Sequence, residues 1–234
     1  MQVIKPKYVT TLIKSFFEEF NGPEVASKML CDVDSLAVDP RAIEEITAEW
    51  EARGKEASDL GTIMHDDIHK FYTEGTRARS REFKLFLTFH KRVEQLGYVP
   101  FSSEKKLYDP EYKLAGVADM LYIHKNDLRT QPSSNARSVA TKLWLIDWKR
   151  TKQIKFIGFD GRVGQYPLEK LQDCNYEHYT MQLNLYKRML EKQCGYKIVM
   201  MSIVVLHPDN QAYEIHHCRD RQDLAYKMLE ARKF

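Results

Sequence analysis

With 234 residues, 43% of them hydrophobic and 29% charged, the chain has the make-up of one large domain, or one domain with a helical extension, and can bury a substantial core. A formal net charge of +3 does not mark a general polyanion binder, so any basic face must be local. Cys31, Cys174, Cys194 and Cys218 form no CxxC pair, and Thr10, Thr11, Lys14, Glu18 and Glu19 interrupt the apolar residues near the start. A zinc ribbon, a disulfide framework, a signal-peptide core and a membrane span are thereby disfavoured, and a soluble protein in a reducing, intracellular setting is expected.

Residues 7 to 53 read as helices, because Val9, Leu12, Phe16 and Phe17, then Ile43, Ile46 and Trp50, recur at a helical period. Asn21-Gly22-Pro23 and Asp39-Pro40 punctuate them. Phe16, Phe17, Phe20 and Trp50 have the spacing of core residues, although aromatics beside Lys5, Lys7, Arg41, Arg53 and Lys55 are also able to stack on bases. A second helical block covers about 58 to 72 and 80 to 96 and stops at Gly97. This division sets residues 1 to 57 apart as a helical region packed on a core of 58 to 234.

The texture then changes to strand in YVPFSSEKKLYD (98 to 109), KLAGVADMLYIH (113 to 124) and KLWLIDWKR (142 to 150). Residues 125 to 141, polar and rich in Ser and Asn, read as a long hairpin loop. A helix over 175 to 193 carries Tyr179, Leu183, Tyr186 and Leu190 on its apolar face; strands at 196 to 208 and 211 to 217 and a helix at 220 to 232 complete the chain. The order predicts an α/β domain with a mixed sheet flanked by helices.

Asp147 and Lys149 interrupt an apolar strand and share one of its faces. Burying either charge unpaired costs several kcal/mol, so they form a structural ion pair or serve a ligand. Glu82-x-Lys84 repeats the spacing in a charge-rich segment, where Glu82 is expected to be solvated. Asp119 enters the preceding apolar strand, and two acids on neighbouring strands repel unless a hard divalent cation lies between them. A lysine beside such a cation is placed to hold a phosphate or an attacking water. His65 and His69 stand four apart on one helical face, as metal or phosphate contacts or as a zinc pair resembling HExxH with Asp66 in the glutamate position. Gln182 and Tyr186 likewise share a face, as a hydrogen-bonding pair or as part of an amphipathic helix.

In this order, Gly61-Thr62 with His65, Glu104 on the first strand, Gly116 with Asp119, Asp147 with Lys149, and Gln182 with Tyr186 resemble the RecB-type branch of the PD-(D/E)xK nucleases, over residues 61 to 186. The stretch LQDCNYEHYTMQLNLYKRMLE, followed by VVLHP, is also similar to members of this branch from large DNA viruses. The resemblance implies a restriction-endonuclease-like fold and phosphodiester hydrolysis with one or two magnesium or manganese ions. It assigns His65, Asp119, Asp147 and the backbone carbonyl of Trp148 to the metal, and Lys149 to the attacking water and transition-state charge. Gln182 and Tyr186 are to support Lys149 and the phosphate, and Glu104 the rim. DNA ends or single strands are the implied substrate, and a helicase or another replication or repair protein a possible associate. Ala118 stands where the superfamily pattern has proline. Cys174, Cys194 and Cys218 are too widely spaced for the cysteine cluster of iron-sulfur relatives, so no such centre is expected. Endonuclease, ribonuclease and non-catalytic nucleic-acid-binding readings remain beside the exonuclease.

Overall fold

The computed structural model describes residues 7–31, 39–128 and 140–232. Lys5 and most of the 125 to 141 loop therefore lie outside the described residues. Chain order begins with β1 (Lys7–Tyr8), α1 (Val9–Lys14), α2 (Gly22–Leu30), α3 (Pro40–Glu74) and α4 (Arg81–Gln95). It continues with β2 (Tyr98–Asp109), β3 (Leu114–His124), α5 (Lys125–Leu128), β4 (Lys142–Lys149), α6 (Asn175–Cys194), β5 (Lys197–Val205), β6 (Glu214–His217) and α7 (Gln222–Ala231). Among the described residues, seven helices flank one mixed sheet of six strands, the mixed-sheet α/β class that the sequence predicts.

The helical boundaries differ from the sequence reading at several places, among them α5, a short helix at the start of the expected 125 to 141 loop. Lys7 and Tyr8 are a short strand, hydrogen-bonded beside Leu114 and Ala115, because β3 has an open edge there. Further on, α3 runs unbroken for 35 residues through Gly54, where two blocks were expected. One interior glycine costs only about 1 kcal/mol, which a helix of this length absorbs. Asp39 caps its start by accepting from the Arg41 amide at 2.9 Å, and Gly75 ends it at φ +73°, a left-handed conformation that suits glycine.

Both faces of the sheet are covered. Met64, Ile68, Phe83, Phe86 and Phe89 of α3 and α4 pack on Trp144, Ile146 and Trp148, while α1, α6 and α7 cover Leu143, Leu145, Ile203 and Val205 on the opposite face. Strand alternation therefore carries Asp147 and Lys149 to the α6 side, in line with Leu143 and Leu145.

Strand β3 sets up the site. β2 runs antiparallel along one edge of it, while the other edge is taken by β1 at Leu114 and Ala115 and by β4 at Met120 to Ile123. The β3–β4 ladder stops at Met120 opposite Ile146, and Asp147 to Lys149 continue alongside β5 alone. The two central strands thus fork at Asp119, and the fork opens through the sheet to both helical layers.

Candidate active site

The fork is pinned by side chains where the ladder ends. Asp119 Oδ2 accepts from the Trp148 amide at 2.8 Å, replacing the missing backbone bond. On β2, Glu104 falls opposite Asp119 and adopts φ +50°, a left-handed conformation unusual for a non-glycine residue. The facing pattern of β3 shifts at the same point: Ala118 faces the α6 side with Leu121 and Ile123, whereas Met120 and Tyr122 face α4.

From the α3 layer, His65 reaches the same place. Its Nδ1 lies 3.5 Å from Asp119 Oδ2 and 3.7 Å from Glu104 Oε1, and its Nε2 lies 3.0 Å from the Trp148 carbonyl. A carbonyl only accepts, so Nε2 is the donor and Nδ1 is the nitrogen turned to the carboxylates. One ligand atom each from His65, Glu104 and Asp119 lies within 4.8 Å of the others. An imidazole nitrogen with two carboxylates is a donor set for a divalent cation, and the Nε2 bond orients the ring as an outer partner does in metal sites.

From the α6 layer come the remaining predicted residues. Lys149 Nζ, partly exposed, pairs with the buried Asp147 Oδ2 at 2.6 Å, and Gln182 Nε2 donates to Asp147 Oδ1 at 2.8 Å and lies 3.4 Å from Tyr186 Oη. Asp147 Oδ2 has charge pairing but no well-aligned hydrogen bond, the condition of a buried oxygen with capacity left for a ligand. The sequence-predicted residues thus fall into two adjoining groups. His65, Glu104 and Asp119 face one another, Asp147 is held by Lys149 and Gln182, and the Trp148 carbonyl joins the groups through His65.

Electrostatics follow from this crowding of charge. Burial pushes the Asp147 carboxyl up to about 6, with Asp119 adding and Lys149 opposing. Burial also raises Asp119, against His65 and Lys149. Burial opposes charge on His65, but the neighbouring Asp119 and Glu104 carboxylates outweigh it and raise the imidazolium pKa to about 9. For Lys149, burial is likewise outweighed by Asp147 and Asp119, so the ammonium stays charged well above the ordinary lysine range.

Other expectations fare differently. His69 Nδ1 is engaged with Ser103 Oγ at 2.9 Å and Asp66 pairs with Lys70 on the surface, so the pair resembling HExxH does not converge. Glu82 is not solvated as expected. Its Oε1 accepts from Arg150 Nε at 2.7 Å, and the pair is only 12% and 14% exposed. No sequence signal marks a partner 68 residues away. Tyr179 was counted only in the apolar face of α6, yet its ring centroid lies 4.6 Å from Lys149 Nζ. Its position three before Gln182 and seven before Tyr186, on one helical face, was the available signal. Gly116 is explained by Tyr186: a Cβ there would sit 2.4 Å from the ring's Cε1.

No protein family and no curated protein matches the chain. Among solved structures the chain is similar to SSO0001, with 15% identity and a TM-score of 0.33 over 98% of this chain and 76% of that one. It is also similar to a Eubacterium rectale protein whose name reads "Putative exonuclease", with 12% identity and a TM-score of 0.33 over 63% of this chain and 50% of that one. At that TM-score neither likeness carries an argument about this chain.

Proposed function

We propose that the chain is a metal-dependent nuclease of the RecB-type PD-(D/E)xK class that hydrolyses phosphodiester bonds in DNA, as an exonuclease acting on ends or single strands. The observation that supports it most is the convergence at the β3–β4 fork of a His65–Glu104–Asp119 cluster with the Asp147–Lys149 pair. His65, Glu104 and Asp119 hold the cation, with Asp147 as a further ligand that the resemblance implies, while the Trp148 carbonyl, which the resemblance also assigns to the metal, is engaged by His65 Nε2. Bound there, one or two magnesium or manganese ions supply Lewis acidity, offsetting charge on the phosphate and acidifying water.

The protein's own groups have separate tasks in this reading. Lys149, held as an ammonium, offsets the negative charge that grows on the phosphoryl oxygens. Tyr179 and Asp147 restrict its position from two sides. Gln182 fixes the second oxygen of Asp147, and Asp119 anchors the Trp148 amide so that the forked strand keeps its direction. The preference for ends over internal sequences rests on the resemblance.

End-labelled linear single- and double-stranded DNA, closed circular DNA and RNA, each incubated with magnesium, manganese or EDTA, test the proposal. Metal-dependent loss of linear DNA by the wild type, absent in a folded Lys149→Ala variant, is the expected result. Cutting of the closed circle indicates an endonuclease, and cutting of RNA alone a ribonuclease. DNA binding without cleavage in any metal indicates a non-catalytic binding module.

A further inference from the structure

The segment between β4 and α6 displays apolar side chains to solvent. Ile157, Phe159, Val163 and Tyr166 are between 43% and 73% exposed within 10 residues, while Phe156 also packs on Tyr176, with centroids 4.7 Å apart. This is not a loose loop. Ile154, Leu168 and Leu171 anchor it in the core, and backbone bonds from Gly164 to Leu171, Asp173 to Arg162 and Gln165 to Phe16 fix its course. At Gly158 a Cβ would lie 2.3 Å from the Arg162 carbonyl, so the close turn there requires glycine. Rings held outward on a fixed backbone are a surface for something else.

Charge and position argue for the occupant. Cations and rings interleave along the segment as Lys152, Lys155, Phe156, Phe159, Arg162 and Tyr166. Protein-binding patches are depleted in lysine, whereas single-stranded nucleic acids are bound by aromatic faces alternating with phosphate-neutralising cations. Phe159 and Lys155 stand between two clefts. One, of about 670 Å³, starts at Thr151, two residues beyond Lys149, and contains Lys152 and Ile157. The other, of about 880 Å³, contains Lys14, Phe17, Phe20 and Arg162. Asp173 is engaged with His178 at 2.8 Å, Glu18 with Arg162 at 3.5 Å and Asp209 with Lys152 at 3.3 Å, an exposed pair that a phosphate can displace, while Glu19 also lines the second cleft. Lys155 has no ion-pair partner among the described residues.

We infer that residues 151 to 166 form a stacking ramp for single-stranded nucleic acid, leading a strand across Lys155 and Phe159 to the candidate active site. This rests on the proposed function and adds where the strand runs and what grips it. Bases stack on Phe159 and Tyr166 without regard to sequence, and Lys152 and Lys155 meet successive phosphates. A blunt duplex, with its bases already stacked on each other, gains little from the rings.

Fluorescence anisotropy of labelled oligothymidylate in EDTA, across a salt series, tests the ramp with the full chain. Phe159→Ala is expected to weaken binding about tenfold with an unchanged salt slope. Lys155→Ala is expected to weaken binding and to reduce the salt slope by about 0.7. Tyr166→Ala provides a second ring, and because all three side chains are on the surface, wild-type unfolding temperatures are expected. If the wild type binds and cleaves but all three variants bind like it, the ramp is overturned and the nuclease proposal stands. If the wild type neither binds nor cleaves any nucleic acid, both fall. If sedimentation shows self-association that Phe159→Ala abolishes while oligothymidylate binding is unchanged, the patch is an interface between copies of this chain and the ramp is overturned.

Discussion

Glu104 holds a left-handed backbone in the middle of a strand, opposite Asp119 and toward His65. For a side chain other than glycine that conformation costs about 1 to 2 kcal/mol, and such strain persists where the surroundings dictate it. Glu104→Gly is therefore expected to raise the unfolding temperature of metal-free protein while abolishing much of its stabilisation by manganese. Calorimetry with and without the ion checks this, and an unchanged response to manganese would remove Glu104 from the cluster. The Asp147–Lys149 pair gives the opposite pattern. Lys149→Met leaves a buried carboxylate unpaired, at a cost of about 3 to 5 kcal/mol, whereas adding Asp147→Asn removes the charge and restores much of that loss. Denaturant titration of both variants measures the difference, and neither is expected to cleave DNA.

At the scale of elements, contact between α6 and β3 explains a glycine that sequence alone marks only by resemblance. Gly116→Ala forces a methyl group against the buried Tyr186 ring, with an expected cost of about 1 to 3 kcal/mol and displacement of Gln182 from Asp147. Thermal unfolding and cleavage should fall together, and an unaltered variant would mean that the ring has room elsewhere. Between α3 and α4, His90 accepts or donates at Tyr72 Oη across 3.2 Å and stacks on Phe86. Burial holds its pKa below the ordinary 6.5, against the pull of Glu94. The unfolded chain thus binds this proton more readily, so His90's contribution is present above 6.5 and is lost as pH falls through the lower folded value. Replacing it in His90→Leu is expected to flatten the acid side of the stability profile, as denaturant midpoints measured across that range would show.

For the molecule as a whole, a cation bound only by the folded chain must stabilise it, by about 2.7 kcal/mol at one hundred times its dissociation constant. Manganese is expected to raise the unfolding temperature, EDTA to reverse the rise, and His65→Ala to suppress it. What the sequence made legible divides along physical lines. Strand alternation exposed Asp147 and Lys149, and helical spacing exposed Gln182 and Tyr186, because those regularities are local. The fork, the left-handed Glu104 and the Glu82–Arg150 pair arise between distant segments and leave no periodic trace. The continuity of α3 through Gly54 was hidden for another reason: a weak local preference there yields to the rest of a long helix.

The fork also sets the order in which the candidate site is put together along the chain. His65 meets Trp148 across 83 residues, and Asp147 waits for Gln182 a further 35 residues on. His65, Glu104, Asp119 and Trp148 have their partners by residue 148, but synthesis must pass α6 before Asp147 meets Gln182 and Lys149 meets Tyr179. A partly made chain, or a fragment released by proteolysis before α6, therefore carries the His65–Glu104–Asp119 cluster without the α6 groups that hold Asp147 and Lys149. If the proposed function holds, assembly across the fork delays cleavage until α6 has docked on the sheet.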